Sequence, residues 1–161
     1  MAAESSVVEV NIESDLKNVE MAEGISRRVA GTAGFDEEEQ HKIEMSVHES
    51  MINAIWHGNK NDPRKSVRLR FDIYRDRLEI RIRDQGNGFD PSGVADPLED
   101  QNLLKVSGRG IFLIRTFMDE FRVEHVPGLG TEVTLVKRLS SGIQPKQGGT
   151  SLEHESNSST G

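Results

Sequence analysis

Apolar and polar residues alternate over residues 7–12, which is the pattern of a strand with one buried side. Asp15 follows and can cap a helix that runs to about Ala30. Gly31 and Gly34 are expected to end this helix, because glycine readily adopts the left-handed conformation that closes a helix. The first part of the chain therefore predicts a strand followed by a helix.

A second helix is expected after Asp36. Glutamates follow this aspartate directly, and carboxylates are favoured at the positive end of a helix dipole. The helix can run to Trp56 or His57, with Gly58 as its C-terminal signal. Apolar residues lie on most of its circumference, Trp56 among them, so we expect the helix to be largely buried.

Two further alternating segments, residues 67–74 and 78–84, predict neighbouring strands joined by a tight turn near Arg75 and Asp76. Their apolar side chains share one face, and their arginines point the other way. The arginine-bearing face is therefore expected to be the solvated side of a sheet.

Residues 90–107 show no lasting periodicity, and a loop of this length in a compact domain is usually functional or mobile. A helix is predicted over residues 108–118, and strands over residues 121–126 and 131–136. This order of elements predicts an α/β (α+β) two-layer sandwich, with a mixed, mostly antiparallel sheet and helices on one face.

Composition limits the classes of protein. The chain has 161 residues, a net charge of −7 and no cysteine. We expect one domain over residues 1–139, followed by a disordered polar tail over residues 140–161. The negative charge argues against direct nucleic-acid binding. We also expect no membrane span and no signal peptide, and a location in the cytoplasm, with which the absence of cysteine is compatible.

Three short segments carry candidate chemistry, and the first lies on the second helix. Glu49 and Asn53 are four residues apart, so they lie on nearly the same line of that helix. A carboxylate and an amide at the edge of a buried helix must form hydrogen bonds or face a polar cavity. From this helix alone, it is slightly favoured that Glu49 and Asn53 form hydrogen bonds within the protein and have a structural role.

The second segment follows the second arginine strand directly. By alternation, Asp84 continues the inward face of that strand, and Gly86 and Gly88 let the backbone turn and approach closely. Such an acid suits a pocket that binds a polar ligand edge. A plain hairpin turn is the alternative, because aspartate, glycine and asparagine are ordinary turn residues.

The third segment opens the predicted third helix with Gly108, Arg109 and Gly110. Free backbone N–H groups at a helix start bind anions, and an arginine adds a forked donor that suits phosphate. A helix start without a ligand is equally compatible with this segment.

Taken together, these segments resemble the conserved boxes of the GHKL ATPases. The matching stretches are Glu49-Ser-Met-Ile-Asn53-Ala-Ile-Trp-His57-Gly58, Asp84-x-Gly86-x-Gly88-Phe89 and Gly108-Arg109-Gly110-Ile-Phe-Leu-Ile, and Thr131 matches the last box. The boxes occur in the family's order. A chain with no room for additional domains is similar to the anti-sigma factor serine/threonine kinases of this superfamily.

The resemblance implies a role for each matching residue. Asn53 would bind Mg²⁺, Glu49 would activate the attacking hydroxyl, and Asp84 would accept a hydrogen bond from the adenine amino group. Thr131 would help to bind adenine through water, and Gly86 and Gly88 would shape the adenine pocket. The phosphates would be held by Gly108, Arg109 and Gly110. His57 would be a contact or a structural hydrogen-bonding residue, and Asn59 would lie near the triphosphate.

The function implied is that of an anti-sigma factor that binds Mg·ATP, phosphorylates a small anti-anti-sigma protein of the STAS type and sequesters a sigma factor. A homodimer is also implied. Two alternatives stay open at this point. One is a nucleotide-gated binding module without significant kinase activity, and the other is a stand-alone GHKL ATPase. The presence of both Glu49 and Asn53 argues against the first.

Overall fold

The computed structural model describes residues 5–86 and 109–140. Residues 88 and 108, the loop 90–107 and nearly all of the predicted tail lie outside the described residues. Five strands are present: β1 (Ser6–Glu13), β2 (Ser66–Ile73), β3 (Arg77–Arg83), β4 (Glu120–Val126) and β5 (Gly130–Arg138). The helices are α1 (Val19–Ala33), α2 (Glu37–Ile52) and α3, of which residues 109–117 are described.

The strands form one antiparallel sheet with the order β1-β2-β3-β5-β4. The last strand in the chain, β5, therefore lies between β3 and β4. Its register aligns Ile80 of β3 with Leu135 and Arg83 with Glu132. As a consequence, the residue that follows β3 comes to lie beside the first residues of β5, where the candidate site is found.

One face of the sheet carries the core. On this face, the buried apolar side chains of β2, β3 and β5 are Val67, Leu69, Phe71, Leu78, Ile80, Ile82 and Leu135. They belong to one cluster with Ala22 and Val29 of α1 and with Ile43, Val47 and Met51 of α2. Each large apolar side chain removed from water contributes about 1.5–3 kcal/mol. The two-layer sandwich is therefore confirmed, with a sheet that is wholly antiparallel among the described residues.

The opposite face carries the arginines, which pair with carboxylates rather than standing alone. Arg68 Nε donates to Glu9 at 2.7 Å, and Arg83 Nε donates to Glu132 at 3.1 Å. Arg70 donates to Asp72 through two nitrogens, each at 3.1 Å. This neutralised, half-exposed surface agrees with the predicted solvated side of the sheet.

Helix α1 begins and ends differently from the prediction. Asp15 caps a single 3₁₀ turn (Leu16–Asn18), and its carboxylate accepts from the Lys17 amide at 3.0 Å. The helix then passes Gly31 and ends at Ala33, because Gly34 adopts a φ of 102° and its amide bonds back to the last turn. Of the two glycines, only the left-handed one ends the helix.

Helix α2 begins as predicted, since the Asp36 carboxylate accepts from the Glu39 amide at 2.8 Å. From Asn53 to Gly58 the backbone continues as a π-helix, in which the Asn59 amide donates to the Ala54 carbonyl five residues earlier. This wider turn changes the direction in which the following side chains point. The prediction that the helix buries Trp56 is wrong, because that side chain is 50% exposed.

Among the described residues, no helix has the length and apolar character required to cross a membrane.

Candidate functional site

A cavity of about 180 Å³ opens where α2, the π-helix and α3 meet the ends of β3, β4 and β5. Its polar lining consists of Ser50, Asn53, His57, Asp84, His125 and Thr131. Its apolar wall includes Ile111, Ile114, Phe121, Val123 and Val133. The structure thus brings together residues from all four stretches that the sequence singled out, although they are as many as 81 positions apart in the chain.

Asp84 is the polar centre of this cavity. It is 5% exposed, and its Oδ1 accepts from the amides of Gly86 and Thr131, each at 3.0 Å. Burial raises the pKa of the Asp84 carboxyl, and these two amides oppose that shift only in part. Among the described residues, none donates a hydrogen bond to Oδ2. The carboxylate is therefore held by one oxygen and presents the other as an acceptor.

Three glycines bring backbone segments against Asp84. A Cβ on Gly58 would lie 2.0 Å from Asp84 Oδ2, and one on Gly86 would lie 2.3 Å from the Gly58 carbonyl oxygen. Gly130 has a φ of 117°, and a Cβ there would lie 2.2 Å from the Asp84 carbonyl oxygen. Only residues without a side chain permit this approach, so the glycines fix the position of the acid.

The substitution Gly58→Ala is expected to disturb the site because the new methyl group overlaps the Asp84 carboxylate. The neighbouring atoms must shift to make room for the methyl group, and this shift should lower the free energy of unfolding by about 1–3 kcal/mol, as overpacking of a core does in general. Gly24→Ala is the matched control, since a Cβ on Gly24, within α1, meets nothing within 4 Å. That variant should be more stable by up to about 1 kcal/mol. Urea unfolding of both variants measures the difference, and equal stability would contradict the packing described here.

Asn53 presents a second oxygen to the cavity. Its Oδ1 is buried and has no hydrogen-bond partner within the described part of the chain. A buried acceptor left unpaired costs about 1–3 kcal/mol, so its presence suggests a ligand. Mg²⁺ prefers oxygen ligands and is commonly held by one or two side chains together with substrate phosphates. The described residues contain no cluster of three or more histidine or acidic side chains that could hold a metal alone. Asn53 therefore fits Mg²⁺ that is bound together with a phosphorylated ligand.

Glu49 lies one turn before Asn53 and against the start of the described part of α3. A Cβ on Gly110 would lie 2.5 Å from Glu49 Oε2, so glycine at this position leaves room for the carboxylate. Arg109, the preceding residue, is exposed. The structure therefore brings the candidate acid Glu49 and the candidate phosphate segment together, whereas Gly88 and Gly108 lie outside the described residues.

His57 and Asn59 differ in what they offer a ligand. His57 lines the cavity, and burial lowers the pKa of its imidazole, which favours the neutral form at neutral pH. Asn59 is fully buried, and its Nδ2 donates to the Ser66 carbonyl at 3.0 Å and to Ser14 Oγ at 3.2 Å. Its Oδ1 accepts from the Gln85 amide at 2.7 Å. The side chain of Asn59 thus ties β2 to the segment after β3, and the expected place of this residue near the triphosphate stays a prediction.

The sequence argument missed His125. This residue lies directly opposite Thr131 in the β4–β5 pair, and its Nδ1 is 3.0 Å from Thr131 Oγ1. The alternation of Phe121, Val123 and His125 along β4 places all three on the inward face, which was the available signal. Without the strand order, however, nothing indicated that this face would line the cavity of Asp84.

The helical layer packs on an antiparallel sheet, and an acid lies at a glycine-packed strand end. An asparagine oxygen that has no partner among the described residues lies at the same cavity. This is the arrangement of a GHKL nucleotide-binding domain. The sequence model of the histidine kinase-like ATPase domain matches residues 12–137. The chain belongs to this family.

Similar proteins agree with this assignment. The serine-protein kinase RsbW of Bacillus subtilis is 32% identical over 112 residues, which cover 66% of this chain and 70% of that protein. RsbW of Bacillus velezensis is 27% identical over 163 residues and covers 98% of this chain and 100% of that protein. A crystal structure of the RsbU and RsbW domains of Rv1364c from Mycobacterium tuberculosis has the same fold, with a TM-score of 0.60 and 18% identity. The match covers 83% of this chain and 32% of that one.

Proposed function

We propose that this protein binds Mg·ATP, phosphorylates a serine or threonine of a small anti-anti-sigma protein of the STAS type and sequesters a sigma factor by direct binding. The observation that carries the proposal is a pair of oxygens at one cavity: Asn53 Oδ1, which is buried without a hydrogen-bond partner among the described residues, and Asp84 Oδ2, to which no described residue donates. An acceptor for a base and an oxygen ligand for a cation are the two features that Mg·ATP requires. The names of the relatives support the kinase activity.

The lining of the cavity is suited to adenine in its polarity. Its wall is largely apolar, as a planar aromatic base requires, and its polar end holds Asp84 and Thr131. Asp84 Oδ2 would accept from the 6-amino group of the base. The glycines beside Asp84, at positions 58 and 86, keep this end open by leaving no side chain in the space of the carboxylate.

A second set of residues would hold the phosphates and the cation. Asn53 would be the protein ligand of Mg²⁺, and Gly108, Arg109 and Gly110 would contact the phosphates through backbone amides and the guanidinium. Bound Mg²⁺ neutralises phosphate charge and orients the transferred group. The protein supplies mainly the positions of its donors and ligands, which is what phosphoryl transfer requires.

Glu49 would accept the proton of the attacking serine or threonine hydroxyl. Its carboxylate lies one helical turn from Asn53 and against Gly110, so it is held close to both the cation ligand and the phosphate segment. The helix backbone fixes this spacing, because the Asn53 amide donates to the Glu49 carbonyl. Glu49 is accordingly the residue that we assign to catalysis.

The substitution Asp84→Asn should change affinity and stability in opposite directions. Adenine nucleotides should bind about 1–3 kcal/mol more weakly, because an amide nitrogen replaces the acceptor oxygen. The pKa of Asp84 is raised in the folded protein, so the buried carboxylate opposes folding at neutral pH, and its cost falls as the pH falls through that pKa. The ligand-free variant should therefore melt at a higher temperature than the wild type at neutral pH.

Calorimetry with ATP and with inorganic triphosphate separates the two parts of the ligand. The Asp84→Asn variant should lose affinity for ATP and keep that for triphosphate. An equal loss for both would show that Asp84 does not bind the base.

The same proposal includes a homodimer, a cytoplasmic location and a domain that comprises residues 1–139, with residues 140–161 as a tail. These features follow from the resemblance to the anti-sigma kinases and from the composition of the chain. Sedimentation of the full chain tests the dimer. A single species with the mass of one chain, 17.9 kDa, at micromolar concentration would contradict it.

The kinase proposal is tested by transfer of labelled phosphate from ATP, in the presence of Mg²⁺, to a STAS-type anti-anti-sigma protein. Incorporation into serine or threonine of the substrate supports the proposal. A pull-down with a sigma factor, in the presence and absence of ATP, tests sequestration. Tight ATP binding without any transfer, together with sigma capture that depends on nucleotide, would instead indicate a nucleotide-gated binding module.

A further inference from the structure

Thr131 is held in place at the polar end of the cavity by three hydrogen bonds to two neighbouring residues. Its amide donates to Asp84 Oδ1, and its carbonyl accepts from the Asp84 amide, each at 3.0 Å. Its hydroxyl lies 3.0 Å from Nδ1 of His125. Among the described residues, this imidazole is the one hydrogen-bond partner of the Thr131 hydroxyl. The backbone of Thr131 is therefore tied to Asp84, and its side chain is tied to His125.

The hydroxyl proton needs an acceptor, and Nδ1 of His125 supplies it when the neutral imidazole carries its proton on Nε2. With its proton engaged, the Thr131 oxygen presents only lone pairs to the cavity. Asp84 Oδ2 is an acceptor as well. Asp84 and Thr131 then present one acceptor each at the polar end of the cavity, and the Thr131 hydroxyl does not donate into it.

We infer that His125 is a positioning residue that makes the site select a purine with an amino group, rather than a carbonyl, at position 6. An amino group has two N–H donors, which complement the two acceptors of Asp84 and Thr131. A carbonyl oxygen at the same position would face acceptors only, and a buried acceptor without a donor is costly. This inference rests on the proposed function, because it requires that the base of a nucleotide occupies the cavity.

The effect can be measured as the ratio of the affinities for ATP and ITP, in which a carbonyl replaces the 6-amino group and N1 carries a proton. In His125→Phe the Thr131 hydroxyl loses its acceptor and can turn its proton into the cavity. The preference for ATP should fall about five- to tenfold, the magnitude of one oriented hydrogen bond. In Thr131→Val the preference should fall by a similar factor, because the acceptor itself is removed.

Two further variants separate this role from a structural one. The double variant His125→Phe/Thr131→Val should show no greater loss of preference than Thr131→Val alone, because His125 acts through the hydroxyl. His125→Asn should keep most of the preference, because its carboxamide oxygen can accept the same proton. Val123→Ala, which alters the apolar wall of the same cavity, is the control and should weaken ATP and ITP alike.

His125→Leu repeats the test with a second side chain that has no acceptor, should His125→Phe fold poorly. Retention of the wild-type ATP preference in a folded His125→Phe or His125→Leu protein would overturn the inference and leave the proposed function intact. Losses that add in the double variant would overturn it as well. A wild-type protein that binds ATP and ITP equally would overturn both the inference and the assignment of Asp84 to the base.

Discussion

Glu49→Ala should reduce phosphoryl transfer by about 10²–10⁴-fold while ATP affinity stays within about twofold of the wild type, because a positioned proton acceptor acts in the transition state and not in binding. The structural basis is the carboxylate held against Gly110 and one turn from Asn53. Single-turnover transfer to the anti-anti-sigma protein, at saturating ATP, measures the loss without interference from product release.

Glu44→Ala is the matched control for this experiment. Glu44 also lies on α2 and is partly buried, but it pairs with Arg27 on α1 at 3.9 Å and is not part of the cavity. Its removal should leave transfer unchanged. Transfer that survives in Glu49→Ala at more than about a tenth of the wild-type rate would remove Glu49 from the chemistry, because general bases contribute more than this.

Asn53→Ala should abolish the part of ATP affinity that depends on Mg²⁺. The wild type should bind ATP more tightly with Mg²⁺ than with a chelator, and the variant should bind equally in both conditions. Its melting temperature without ligand should be at least that of the wild type, because the substitution removes an unpaired buried oxygen. Calorimetry and thermal unfolding together measure these two effects.

Ser50→Ala provides the control for a change in the same cavity. Ser50 lines the cavity, but its hydroxyl donates to the Ser46 carbonyl at 2.7 Å within the helix. The variant should keep the full Mg²⁺ dependence. If Asn53→Ala keeps it as well, another residue holds the cation, and the assignment of Asn53 fails.

Much of the fold could be predicted from alternation and capping. The strands near residues 67–74 and 78–84, the cap at Asp36 and the stop at Gly34 each follow from local rules that the structure obeys. The π-helix after Ile52 could not be predicted in this way, because its bonds form where the helix meets β2 and β5.

In the candidate site as well, some features follow from the local sequence and others depend on tertiary packing. The inward direction of the Asp84 side chain could be predicted, because the alternation of buried residues along β3 continues from Ile80 and Ile82 to Asp84. The contacts of Asp84 with Gly58 and Gly130 could not be predicted from the sequence, because these residues lie in segments that only the strand order brings together. His125 was missed for this reason, and the buried hydrogen bonds of Asn59 could not be predicted because they depend on the same tertiary packing.

The central claim is that the cavity of Asp84 and Asn53 binds Mg·ATP, and a calorimetric titration of the wild-type chain with ATP tests it most directly. Titrations with Mg²⁺ and with a chelator should both show one site per chain, with tighter binding when Mg²⁺ is present. An absence of binding in both titrations, or an affinity that does not respond to Mg²⁺, would contradict the account.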